Sequence, residues 1–119
     1  MSDSNTLDRK ALDRLQRLGG EKLIRDMIDL FLDYAPKRLA AALAAEQATD
    51  LHALSQAVHP LKSSAGNVGA RCMQDLAAKI EKLALDGEGA AIPPLLRELE
   101  AAFIQIKPHL ERERKELAA

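Results

Sequence analysis

The sequence predicts an all-α fold, an antiparallel up-down four-helix bundle with a short extra N-terminal helix, on three observations. Alanine (21) and leucine (20) make 41 of the 119 residues, against 10 β-branched ones, a balance that favours helix over sheet. Apolar positions recur at helical spacing in five successive stretches. Glycine, proline and aspartate mark the boundaries between them. With 47% apolar and 29% charged residues the chain can bury a core and stay soluble, and its length fits one domain over 1–119.

The elements follow in order. Residues 1–5, MSDSN, read as a polar tail. Leu7, Ala11, Leu15 and Leu18 form a first short stripe, which Gly19-Gly20 should stop. From Glu21 to about Ala48, Leu23, Ile24, Met27, Ile28, Phe31, Leu32, Ala35, Leu39 and Leu43 trace one face. Pro36 lies inside that helix and lacks an N–H for the Leu32 carbonyl, so a kink or split is expected there. Thr49 and Asp50 are suited to cap a third helix with the stripe Leu51, Leu54, Val58, Leu61, Ala65 and Val68, and Gly69 offers its stop. Met73, Leu76, Ala77, Ile80, Leu83 and Ala84 define the fourth, ended by a loop at Asp86-Gly87-Glu88-Gly89. Pro93-Pro94 suit a first turn. The last stripe is Ile92, Leu95, Leu96, Leu99, Phe103, Ile106 and Leu110, with an interruption expected at Pro108. Residues 111–119, which contain ERERKE at 111–116, read as a charged, solvated and salt-bridged helix end.

Composition excludes several functions. Seventeen basic against eighteen acidic residues, a net charge of −1, supply no drive toward nucleic acid. The longest apolar run, Leu39 to Ala45, is far short of the roughly 20 residues that span a membrane, and no signal peptide is evident, so the cytoplasm is expected. The lone Cys72 fits a reducing compartment and reads as packing. No glycine-rich phosphate loop, carboxylate cluster or Ser-His-Asp set occurs. Neither an ATP-driven kinase nor a resident metal or cofactor is therefore expected.

One residue stands out. At about 100° per residue, His59 points roughly 130° from the centre of the third stripe, so it should face solvent. Ser55, Lys62, Ser63 and Gly66 fall on the same arc, giving an imidazole with small neighbours and a nearby cation. Histidine is a good nucleophile near neutral pH, since its unperturbed pKa of about 6.5 leaves a free ring lone pair. A phosphoryl group on that ring is a phosphoramidate, held loosely enough to move on to a carboxylate. Lys62, three residues on, can meet phosphoryl oxygens, and Pro60 should bend the helix beside the nucleophile.

The stretch His59-Pro60-Leu61-Lys62-Ser63-Ser64-Ala65-Gly66-Asn67-Val68-Gly69-Ala70 resembles the signature of histidine-containing phosphotransfer (HPt) domains of bacterial multistep phosphorelays. Upstream, Leu30-Phe31-Leu32-Asp33-Tyr34-Ala35-Pro36-Lys37-Arg38-Leu39 also looks like the family's second helix. The resemblance, which runs from about Leu7 to Leu110, implies a four-helix bundle that relays a phosphoryl group between aspartates of receiver domains. It gives His59 the phosphoryl role and Lys62 that of phosphate neighbour. Ser63 stands where many members have glycine, a small departure. Some members carry a glutamine on the fourth helix that reaches the phosphohistidine. Glu81 matches it here, and as an anion it would repel the phosphoryl group, so that role is not carried over. The expected partners are response-regulator receiver domains and a hybrid sensor histidine kinase, with Mg²⁺ on the receiver.

Other residues have blander readings. His52, two turns from His59, and His109 lack the spacing of a metal pair. Lys37 and Arg38 could rim a docking surface, chiefly affecting association rate. The competing class is an interaction module, such as the dimerisation domain of a sensor kinase. That domain usually has an acidic residue directly after its histidine, where this chain has Pro60. A dimerisation domain must dimerise, whereas a monomer is expected of a phosphotransfer domain.

Overall fold

The computed structural model describes residues 7–118. The polar tail at 1–5 and the last residue of the 111–119 segment lie outside the described residues. Within them the regular structure is α1 (Arg9–Gln47), α2 (Leu51–Asn67), α3 (Arg71–Leu85), a 3-10 turn (Gly89–Ala91) and α4 (Ile92–Ala118). The principal contacts are α1 with α2, α2 with α3, α3 with α4 and α4 with α1, so the four helices close a ring around one core. Each contributes a fully buried aliphatic side chain, Ile28, Leu61, Ile80 and Leu99. Burial of each contributes about 1.5–3 kcal/mol. Phe31 and Phe103 meet edge to face, 6.1 Å between centroids, across α1 and α4.

The predicted stripes are the buried faces, with exceptions that have physical reasons. Leu18 is 72% exposed while Leu12 is buried, because the first segment packs through Ala11, Leu12 and Leu15, one residue out of phase with the predicted end of its stripe. The stop expected at Gly19-Gly20 is present, and α1 is two helices meeting at a kink there. Gly20 takes φ 72°, ψ −165°, a conformation open essentially to glycine alone, and helix resumes directly after it. The short N-terminal helix is thus the first arm of α1. Pro36 does not split the helix, since the residues around it keep helical dihedrals and Gly20 is the position in α1 that leaves them. Pro108 does not interrupt α4 either, and the buried Leu110 beyond it keeps the helix on the core. The charged end is salt-bridged, as expected, and its partners lie on another helix. Glu113 accepts from Arg9 at 2.5 Å and Arg114 donates to Asp29 at 2.8 Å, tying α4 to both arms of α1.

The first three helices end alike. After α1 the Asp50 N–H bonds the Ala45 carbonyl and the Thr49 N–H that of Glu46. After α2 Ala70 bonds Ala65 and Gly69 bonds Gly66, and after α3 Glu88 bonds Leu83 and Gly87 bonds Ala84. This paired pattern is a Schellman motif, which needs a left-handed residue in the same place each time. Those residues are Thr49 (φ 52°), Gly69 (φ 85°) and Gly87 (φ 77°). Asp50 then caps α2, its side chain accepting from the Ala53 N–H at 3.0 Å. At Gly69 the fit is tighter. Its carbonyl accepts from the Asp8 N–H at 2.8 Å, and a Cβ there would lie 2.7 Å from the Asp8 carbonyl oxygen.

Candidate functional site

Helix α2 buries Leu54, Val58, Leu61 and Ala65, and that stripe turns His59 outward with 65% of its side chain exposed. The ring does not hang free. Glu81 of α3, whose side chain is only 14% exposed, sets Oε2 2.5 Å from His59 Nδ1 while its Oε1 meets the Lys62 ammonium. One carboxylate therefore holds both residues that the sequence singled out. The Lys62 hydrogen bond, opposed by partial burial and assisted by the His59 bond, keeps the Glu81 carboxyl below the usual glutamate range. An ionised carboxylate only accepts, so Nδ1 is the protonated ring nitrogen and donates to Glu81. In the neutral ring the lone pair is then on Nε2.

The role of Glu81 was the main thing sequence reasoning missed. His59 and Glu81 are 22 residues apart, beyond any local spacing rule. The available signal lay in the corner at Gly69. His59 is ten residues before it and Glu81 twelve after it, which sets them at nearly the same level when two helices fold back on each other. Glu81 faces Nδ1, across the ring from Nε2, and its charge is shared with Lys62.

Other predicted neighbours are placed differently. Ser55 is buried, 5% exposed, and its hydroxyl donates to the His52 carbonyl at 2.7 Å. It does not share the outward arc with His59. Because α2 is packed by α1 on one side and α3 on the other, its buried arc is wider than its apolar stripe and takes in Ser55. Gly66 lines a cleft beside the Gln74 side chain of α3, which a Cβ at this position would meet at 2.5 Å. Ser63 is exposed one turn after His59. Lys37 pairs with Asp33 at 3.2 Å on the solvent side of α1. Arg38 is engaged within the fold. Its Nε donates to the Ala57 carbonyl at 3.1 Å and its guanidinium lies 5.9 Å from the Tyr34 ring centroid. It braces α2 just before His59. Cys72 is half-buried against the core. Among the described residues no helix is long and apolar enough to cross a membrane.

Two depressions flank the α2 ridge at Ser63 and Asn67. On the α1 side lies an apolar groove of about 460 Å³ with Met27, Leu30, Tyr34 and Pro60 in its walls. Leu30 is 62% exposed there. On the α3 side lies a polar cleft of about 410 Å³ walled by Asp8, Lys10, Arg14, Arg71 and Gln74. An exposed imidazole thus stands on the same ridge as an apolar and a charged surface.

No curated protein sequence matches the chain. The chain is similar in structure to the crystal structure of histidine-containing phosphotransfer protein B (HptB) from Pseudomonas aeruginosa PAO1, with a TM-score of 0.86 and 28% identity over 92% of this chain and 95% of that one. Residues 26–109 match the Hpt domain family, a span that holds His59, Lys62 and Glu81 together with the greater part of the helical ring, and by that match the chain belongs to the Hpt, or histidine-containing phosphotransfer, domain family.

Proposed function

We propose that this protein is a monomeric, cytoplasmic phosphoryl carrier in a two-component phosphorelay, a single module of helices running alternately up and down. His59 takes the phosphoryl group from the phospho-aspartate of one receiver domain, in a hybrid sensor kinase, and passes it to an aspartate of another, in a response regulator. The observation that carries this reading is the exposed imidazole of His59, held through Nδ1 by Glu81 with Lys62 on the same carboxylate.

The step balances without an external base. The Nε2 lone pair attacks phosphorus, the P–O bond to the donor aspartate breaks, and its electron pair returns to that carboxylate. The ring becomes an N-phosphorylated imidazolium whose proton stays on Nδ1, and the Glu81 carboxylate offsets the new positive charge. In the reverse direction the imidazole leaves as a neutral group. Lys62 meets the phosphoryl oxygens as a point charge. Mg²⁺, held by carboxylates of the receiver, supplies the remaining neutralisation at its own aspartate. The receiver covers His59 in a transient interface seated on the apolar groove between α1 and α2.

The test is a transfer profile in which each candidate receiver domain is labelled and mixed with the protein. Label should reach His59, resist alkali and be lost in acid, as a phosphoramidate is. His59→Gln should abolish it. Labelling that persists in that variant, or that maps to His52, overturns the assignment.

A further inference from the structure

The cleft on the α3 side of the ridge has a charge pattern unlike the molecule as a whole. The chain carries a net charge of −1, yet the cleft wall holds Lys10, Arg14 and Arg71 against the single carboxylate of Asp8. That carboxylate sits 4.0 Å from the Arg71 guanidinium and also accepts from the Lys10 backbone N–H. Among the described residues the side chains of Lys10 and Arg14 enter no ion pair. They leave a local surplus of two positive charges in a concavity that focuses the field.

Position gives the surplus its meaning. Ser63 lines both the cleft and the apolar groove and is one helical turn from His59. At 1.5 Å per residue, Gly66 on the cleft wall is about 10 Å along α2 from the histidine. A modest interface buries about 800 Å² on each partner, a disc wide enough to cover groove, ridge and cleft together. A receiver that holds Mg²⁺ through clustered carboxylates presents an acidic face around its phospho-aspartate. The groove matches such a partner by apolar contact and the cleft matches it by charge.

We propose that the Lys10–Arg14–Arg71 cleft is the electrostatic half of the docking face. It takes the acidic rim of the receiver, speeds encounter and fixes the orientation in which the receiver's aspartate meets His59. This matters only if His59 is the transfer point, so it rests on the function proposed above. Rim charges act mainly on association, and their effect fades as salt screens them.

The experiment is stopped-flow transfer from the phosphorylated receiver domain that ranks fastest in the profile, at rising receiver concentration and several ionic strengths. The double variant Lys10→Glu/Arg14→Glu should lower kcat/KM at least about tenfold at low salt, flatten its salt dependence, and leave the rate at saturating receiver within about twofold. Lys10→Gln/Arg14→Gln should fall between it and the wild type. Arg97→Glu/Lys107→Glu makes the same change in net charge on exposed positions of α4 and should leave transfer unchanged. Unaltered melting temperatures exclude misfolding as the cause. A wild-type salt slope in the cleft variants, or equal slowing by the α4 variant, overturns the proposal while His59 labelling stands. Absence of label on wild-type His59 overturns both.

Discussion

At the scale of single residues, the site is a three-membered network with Glu81 at its centre. Lys62→Ala should cost under about 1 kcal/mol of stability, as for a partly exposed pair. It should slow transfer about 10- to 100-fold if a charge-assisted contact of about 1.5–3 kcal/mol is made fully in the transition state. Thermal melting and single-turnover transfer on the same variant separate the two effects. Glu81 also links the network to pH. Its folded-state pKa is depressed, so the stability it contributes is present above the unfolded value of about 4.3 and is lost as pH falls through the folded one. Wild type and Glu81→Gln should differ in melting temperature at neutral pH, keep that difference to about pH 5, and converge in stronger acid. A gap unchanged at pH 3 would show that Glu81 acts through packing. His59 and Lys62 were legible in the sequence because both lie on one helix, where angle follows from number. Ser55 was misread because its burial depends on the neighbours of that helix, and Glu81 because its partner lies across a corner.

At the scale of elements, one backbone motif ends three helices, and two of them give its left-handed position to glycine. Thr49 occupies that position after α1 with φ 52°, where a β-branched residue is strained by about 1–2 kcal/mol. Thr49→Gly should raise stability by about 0.5–1 kcal/mol, part of the relief being offset by the freer unfolded chain. Chemical denaturation at equilibrium reads it directly, and destabilisation would mean that Thr49 makes a contact worth more than its strain. The helix ends at Gly69 and Gly87 were visible in the sequence because glycine announces the conformation. Pro36 and Pro108 misled because proline removes one hydrogen bond without dictating whether packing on either side holds the helix together. Phe31, Ala35 and Leu39 bury the same face of α1 before and after Pro36, as Ile106 and Leu110 do around Pro108 in α4.

At the scale of the whole molecule, the ring of helices buries its apolar stripes within one chain. Light scattering should therefore give the mass of one 119-residue chain at micromolar concentration. The isolated phosphorylated protein should keep its label over hours in neutral buffer until a receiver and Mg²⁺ are added. A stable dimer would favour the sensor-kinase dimerisation class, and rapid self-dephosphorylation would reveal a catalytic centre within the bundle. The packing at Gly69 has a consequence for how such a protein can change over evolutionary time. At Gly87 nothing lies within 4 Å of a would-be Cβ, so asparagine, which tolerates the left-handed conformation, is open to drift. At Gly69 the dihedrals and the Asp8 backbone close that route together, and even a polypeptide diverged in every surface residue would retain this glycine, or else lose the seam that joins its beginning to its middle.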